Sequence, residues 1–171
     1  MDIVRKTFKY LEDEEEKYLY IEAKLTMKVL LLVREYLREQ KEDAKIQDIF
    51  DAIKNLDAKV MAQMIINSIQ NEDADKEKLI PILDLAEAID LLGKIISKSM
   101  PGQEEQEEEM FEDDPEDMED WDFSFMDYIW NCVLKRNDSF YDVTPKTYFN
   151  MIEHHKKFNG IKDNKEDVEY I

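Results

Sequence analysis

The chain has 171 residues, formal net charge −19, one cysteine, three glycines and four prolines. That length suits one ordinary domain or two small ones, and a lone Cys132 excludes an internal disulfide and paired-thiol zinc patterns. The acidity disfavours direct binding to nucleic-acid phosphates, which need Lys and Arg to displace counterions, and it repels anionic membrane surfaces.

The first stretch is the one that reads as β. "IVRKTFKY" and "KYLYIEAKL" alternate apolar and polar residues around the turn-like "LEDEEE", which predicts a short hairpin, with a frayed helix as the rival. Few breakers and abundant Glu, Lys, Leu and Ile make the rest mostly helical. Thr26 is a cap for a helix from Met27 to about Gln40, whose apolar face is broad and includes Leu30, Val33 and Leu37. Ile46, Ile49, Phe50, Ile53 and Leu56 recur at helical spacing. Asp57 opens the next helix, through Val60, Met61, Met64, Ile65, Ile66 and Ile69, and "NEDADKE" breaks it. Pro81 fits a helix start, where its missing donor costs nothing. Leu85, Ile89, Leu92 and Ile96 then form a stripe ending near Ser99. Residues 1–100 read as one small helical domain.

The charge is concentrated in the middle. Residues 101–122 hold thirteen acidic residues and no basic one, whereas the flanks carry −5 and −1. Like charges at that density repel, so residues 101–120 are expected to be a solvated linker. Aromatic residues follow at once: Trp121, Phe123, Phe125, Tyr128 and Trp130. Ser124 and Asp127 match a capping box for a helix to about Lys135. Phe125, Tyr128, Ile129 and Cys132 share one face of it, and Met126, Trp130 and Val133 another. Cys132, among apolar neighbours, reads as a buried core thiol. Thr144 and Pro145 start a final helix with Tyr148, Met151, Ile152 and His155 in a stripe, ended by Asn159 and Gly160. A C-terminal module over 121–160 and a polar tail over 161–171 complete the layout.

No catalytic or cofactor pattern emerges. Asp73 to Asp84 has Asp at the first and third positions of a calcium loop but lacks the glycine at the sixth and the glutamate at the twelfth. His154 and His155 are adjacent, so on a helix they diverge by about 100° and cannot form an i, i+4 zinc pair. Three isolated glycines cannot build a phosphate loop. No run approaches the ~20 apolar residues of a membrane span, and the N-terminus shows no apolar stretch of signal-peptide length. These features describe a reduced, cytosolic binding protein rather than an enzyme, needing no cofactor or metal.

Two passages carry a resemblance. They are "NLDAKVMAQMIINSIQNEDADKEKLIPILDLAEAIDLLGKIISKSMP", residues 55–101, and "DWDFSFMDYIWNCVLKRNDSFYDVTPKTYFNMIEHHKKFN", residues 120–159. Together with the acidic linker between them, they resemble the tail assembly chaperones of long-tailed bacteriophages, in the longer form made by translational frameshifting. The resemblance implies an N-terminal domain that coats the tape-measure protein, acting as a homo-oligomer, and a C-terminal module that recruits tail-tube (major tail) subunits. It implies action in the host cytoplasm and departure before the virion is finished. It also implies partner contacts at Trp121, Phe125, Tyr128, Trp130 and Tyr148, and at Leu30, Val33 and Leu37. The acidic tether would hold the aromatic module away from the coat. The same side chains suit the core of a small domain. Two further readings of the charge are a DNA-mimic inhibitor, which needs its carboxylates fixed on a rigid surface, and a generic acidic adaptor.

Overall fold

A computed structural model describes residues 2–102 and 119–160. Most of the 101–120 linker and the whole 161–171 tail therefore lie outside the described residues. The fold is mostly α, with a two-stranded antiparallel hairpin at its start.

Strands β1 (Val4–Glu12) and β2 (Glu15–Ala23) pair from Val4 with Ala23 to Glu12 with Glu15. The two turn residues, Asp13 and Glu14, both have positive φ, 52° and 66°. Two successive left-handed residues give the turn whose twist matches that of paired strands. Alternation then buries Val4, Phe8, Leu19, Ile21 and Ala23 and exposes Thr7, Lys9, Tyr18 and Tyr20. Residues 68–71 cover the end of β2: Lys24 N–H donates to Ser68 O at 2.8 Å and Gln70 N–H to Glu22 O at 2.7 Å.

Helix α1 (Met27–Arg38) opens where Thr26 Oγ1 accepts from Val29 N–H. It buries Met27, Val29, Leu30 and Val33. Helix α2 (Ile46–Lys54) is secured at its start by Asp48, whose carboxylate accepts from Lys45 N–H at 2.7 Å. Helix α3 (Ala58–Ser68) is capped by Asp57, which accepts from Lys59 and Val60 N–H. These three helices pack on one another and on the inner face of the hairpin in a single apolar core.

Pro81 starts no helix. It lies in the last turn of α4 (Lys76–Ile82), which is capped by Asp75. In this last turn it removes the bond its N–H would make to the carbonyl of Glu77, and α4 ends one residue later. Asp84 then caps α5 (Leu85–Ser99) in a reciprocal pair with Glu87. The predicted α5 stripe is also rotated. Leu91, Leu92, Ile95 and Ser99 face the core, while Leu85 and Ile89 stand in solvent.

The start of α6 (Phe123–Tyr128) likewise differs from expectation. Asp122, not Ser124, is the cap, accepting from Phe125 N–H at 3.0 Å, and Asp127 instead accepts from Asn131 Nδ2. The helix runs on as a π-turn over Ile129–Val133, and Lys135 reverses the chain with φ 52°. A 3₁₀ turn over Phe140–Asp142 leads to α7 (Pro145–Phe158), where Thr144 caps and Pro145 occupies the first turn. Gly160 at φ 64° follows its end, a left-handed position that glycine adopts without steric cost.

Residues 119–160 share the core of residues 2–102. Phe123, Met126, Trp130, Phe140, Val143 and Tyr148 belong to the same buried cluster as α1, α3 and α5. Backbone and side-chain bonds seal the junction: Met27 N–H donates to Val143 O at 2.9 Å, Lys24 Nζ to Asp142 O at 2.9 Å, and Thr144 Oγ1 to Asp2 Oδ2 at 2.6 Å. The aromatic segment is thus held against the N-terminal helices, where the tether had suggested a module standing off from them. Its apolar surface is too extensive to leave in water.

Candidate functional site: an aromatic groove between α6 and α7

The entry to the C-terminal segment is fixed by one carboxylate. Asp120 accepts from Arg34 Nη1 at 2.8 Å, from Arg38 Nη2 at 3.1 Å and from Ile46 N–H at 2.9 Å. It thereby joins the end of α1 to the first turn of α2. Arg34 is buried and also donates to Trp121 O at 3.0 Å, while its guanidinium lies 4.8 Å from the centre of the Phe123 ring. A planar, permanently charged group can bond in its plane and stack on its face at once. Trp121 and Phe123 are positioned as a result.

An aromatic ladder extends from there. Trp121 meets Phe149 edge-on at 5.5 Å, Phe149 meets Tyr148 at 5.3 Å, and Tyr148 meets Phe140 at 5.5 Å. Trp130 is fully enclosed, with Tyr148 at 6.0 Å on one side and Arg136 5.4 Å from its ring. Its indole N–H donates to Asp138 O at 2.9 Å, so the polar edge of the ring is satisfied. Burial raises the Tyr148 hydroxyl pKa above its ordinary value.

On the open side of this ladder α6 and α7 leave a shallow groove of about 410 Å³. Its walls are Trp121, Phe125, Met126, Ile129, Tyr148, Phe149 and Ile152. Phe125 stands on the rim, 59% exposed, and Tyr128 one turn on is equally open. Beyond the groove, the last turn of α7 carries His155, Lys156 and Lys157. The site offers apolar contact and ring faces. Among the described residues no group of three or more His, Cys, Asp or Glu side chains gathers to hold a metal ion. Among them, too, no helix is long and apolar enough to cross a membrane.

The eight residues singled out as partner contacts fall into different environments. Trp121, Phe125 and Tyr148 come together at the groove, and Tyr128 is exposed close by. Trp130, Leu30 and Val33 are enclosed in the core, and Leu37 is half-buried against it. Cys132 is exposed rather than buried, because α6 and the π-turn after it turn Met126 and Trp130 inward. Sequence reasoning missed Arg34, Asp120 and Phe149. The signal for Arg34 was available: it follows Leu30 by one turn on an otherwise apolar face.

No family model matches the chain. No match was found among curated proteins or solved structures either.

Proposed function

We propose that the chain is a non-enzymatic assembly chaperone of the long-tailed phage kind. It keeps the tape-measure protein soluble and recruits tail-tube subunits, with the α6–α7 groove as the recruiting site. The observation that carries this reading is the groove itself. A concave, apolar, aromatic surface held rigid from behind is the form that anchors a partner's side chain. The rigidity comes from the Asp120–Arg34 junction and the ring ladder. The acidic run that precedes it in sequence favours solubility of a complex with an apolar chain, and the resemblance in residues 55–101 and 120–159 supplies the phage context. Activity in the host cytoplasm and release before the virion is complete belong to the same proposal.

The test uses the full chain co-expressed with the tape-measure and tail-tube proteins. Phe125 is exposed, so Phe125→Glu leaves the fold intact while placing a charge on the groove rim. The wild-type chain should hold both partners in solution, and Phe125→Glu should keep the tape-measure protein and release the tail tube. Retention of both partners by the variant, or of neither by the wild type, refutes the proposal.

A further inference from the structure

Antiparallel pairing leaves alternate residues of each strand with both backbone groups turned away from the other strand. With Glu12 and Glu15 closing the two-residue turn, those residues are Arg5, Thr7, Lys9 and Leu11 in β1 and Glu16, Tyr18, Tyr20 and Glu22 in β2. The two edges are finished differently. Over the second half of β2, Gln70 N–H donates to Glu22 O, Glu22 N–H to Asn71 Oδ1, and Asn71 Nδ2 to Tyr20 O. On β1, no group among the described residues bonds the N–H or C=O of Arg5, Thr7, Lys9 or Leu11. Just before them, Lys98 Nζ donates to Ile3 O at 3.2 Å.

This open edge is basic in an acidic chain. Arg5 and Lys9 stand on its outer face, and Lys6, with Lys94 and Lys98, lies on the side of α5. Among the described residues three carboxylates answer these five cations. Glu22 pairs with Arg5, Glu16 with Lys9, and Asp90 is shared by Lys6 and Lys94. Lys98 meets a carbonyl instead. Charged side chains along an edge keep indiscriminate strands from adding to it. Here the excess has one sign, so it repels a basic segment and favours an acidic one.

We propose that β1 takes a third strand from a partner protein, an extended segment that alternates acidic and β-branched residues. The partner's backbone bonds the open groups of Arg5, Thr7, Lys9 and Leu11, which supplies affinity, and its carboxylates meet the surplus cations, which select the sequence. The four residues span about 20 Å of edge, room for a segment of about seven residues. The groups of Glu16 and Tyr18 on β2 are also open, but Glu14, Glu15 and Glu16 surround that end and repel an acidic strand. The β1 edge shares no residue with the α6–α7 groove and stands whether or not the groove recruits tail tube.

The probe is a synthetic peptide of about seven residues alternating Glu and Val, added to the full chain, with amide hydrogen exchange followed residue by residue by NMR. In the free protein Thr7, Lys9 and Leu11 N–H should exchange fast, while Phe8 and Tyr10 N–H, bonded to β2, are protected. The peptide should slow exchange at Thr7 and Lys9 by about tenfold or more and leave Tyr18 unchanged. The same peptide with Lys in place of Glu, or N-methylated at alternate residues on its bonding edge, should give no protection. Thr7→Pro removes no bond within the hairpin, because proline is tolerated where a strand N–H faces solvent. It should keep its circular dichroism spectrum and lose the protection at Lys9. No protection from the Glu peptide, equal protection from the Lys peptide, or protection at Tyr18 in place of Thr7 would each overturn the proposal. Protection that survives N-methylation or Thr7→Pro would do the same.

Discussion

Asp120→Ala tests how firmly the C-terminal segment belongs to the fold. The carboxylate accepts three bonds, two from guanidinium groups and one from Ile46 N–H. Its side chain is 18% exposed and that of Arg34 only 10%. Hydrogen bonds to charged groups contribute about 1.5–3 kcal/mol each, and removing one member of a buried pair costs about 3–5 kcal/mol because the other charge is left uncompensated. Arg34 keeps Glu35 at 3.6 Å, and Arg38, a third exposed, keeps it at 3.3 Å, so the loss lies at the low end of that range. A loss of about 3 kcal/mol follows, or a fall in Tm of roughly 6–12 °C for a chain of this length. The double variant Arg34→Met with Asp120→Ala should cost less than Asp120→Ala alone, since no charge is then stranded. The assay is urea unfolding followed by two signals. Both tryptophans, Trp121 and Trp130, lie in the C-terminal segment, so their fluorescence reports that segment while circular dichroism reports all the helices. The two transitions should coincide and shift together. A shift below about 1 kcal/mol, or fluorescence that melts separately from ellipticity, refutes the reasoning.

Trp130→Ala removes a fully enclosed ring and should cost about 3–5 kcal/mol, read from the urea midpoint by circular dichroism. Glu12 bonds Lys17 and Lys78, which hold its carboxyl at about 2 against an ordinary 4.5. The folded value is the lower one, so the stabilisation is fully present above about pH 4.5 and is lost as pH falls toward 2. Glu12→Gln should flatten the Tm-against-pH curve in that window, and an unchanged slope there would show that the contact adds nothing.

The hairpin and the helix starts at Thr26, Asp57 and Thr144 were legible because each rests on local chemistry: a period of two, or a side-chain oxygen placed before a helix. Less legible were choices settled by neighbours distant in sequence. Ser124 and Asp122 both resemble caps, and only the inward direction of Phe123 and Met126 decides between them. Leu85 and Ile89 share a helical period with Leu92, yet the contacts of α5 with α3, α7 and β1 select Leu91, Leu92 and Ile95 for the core. The aromatic run was readable as apolar surface in need of cover. Which rings would be covered depended on an arginine in α1 pairing with an aspartate 86 positions later. No local pattern encodes such a pair. Three of the eight candidate contact residues meet at the groove, because the anchoring character of a ring is visible in composition and its exposure is not.

The bonds that join Asp2 and Met27 to residues 143–144 also set an order of events during synthesis. Asp2 meets Thr144 across 142 positions, and Met27 waits for Val143. A ribosome therefore releases the hairpin and α1 long before their final cover exists. Until residues 119–160 emerge, the flank of α1 that will receive Phe123 and Phe140 faces water, together with the guanidinium of Arg34. Closing loops of that length is slow compared with forming local helices. The nascent chain thus passes through a stage with an open apolar seam, during which the acidic run is translated next. Its negative charge arrives in time to discourage neighbouring nascent chains from meeting at that seam.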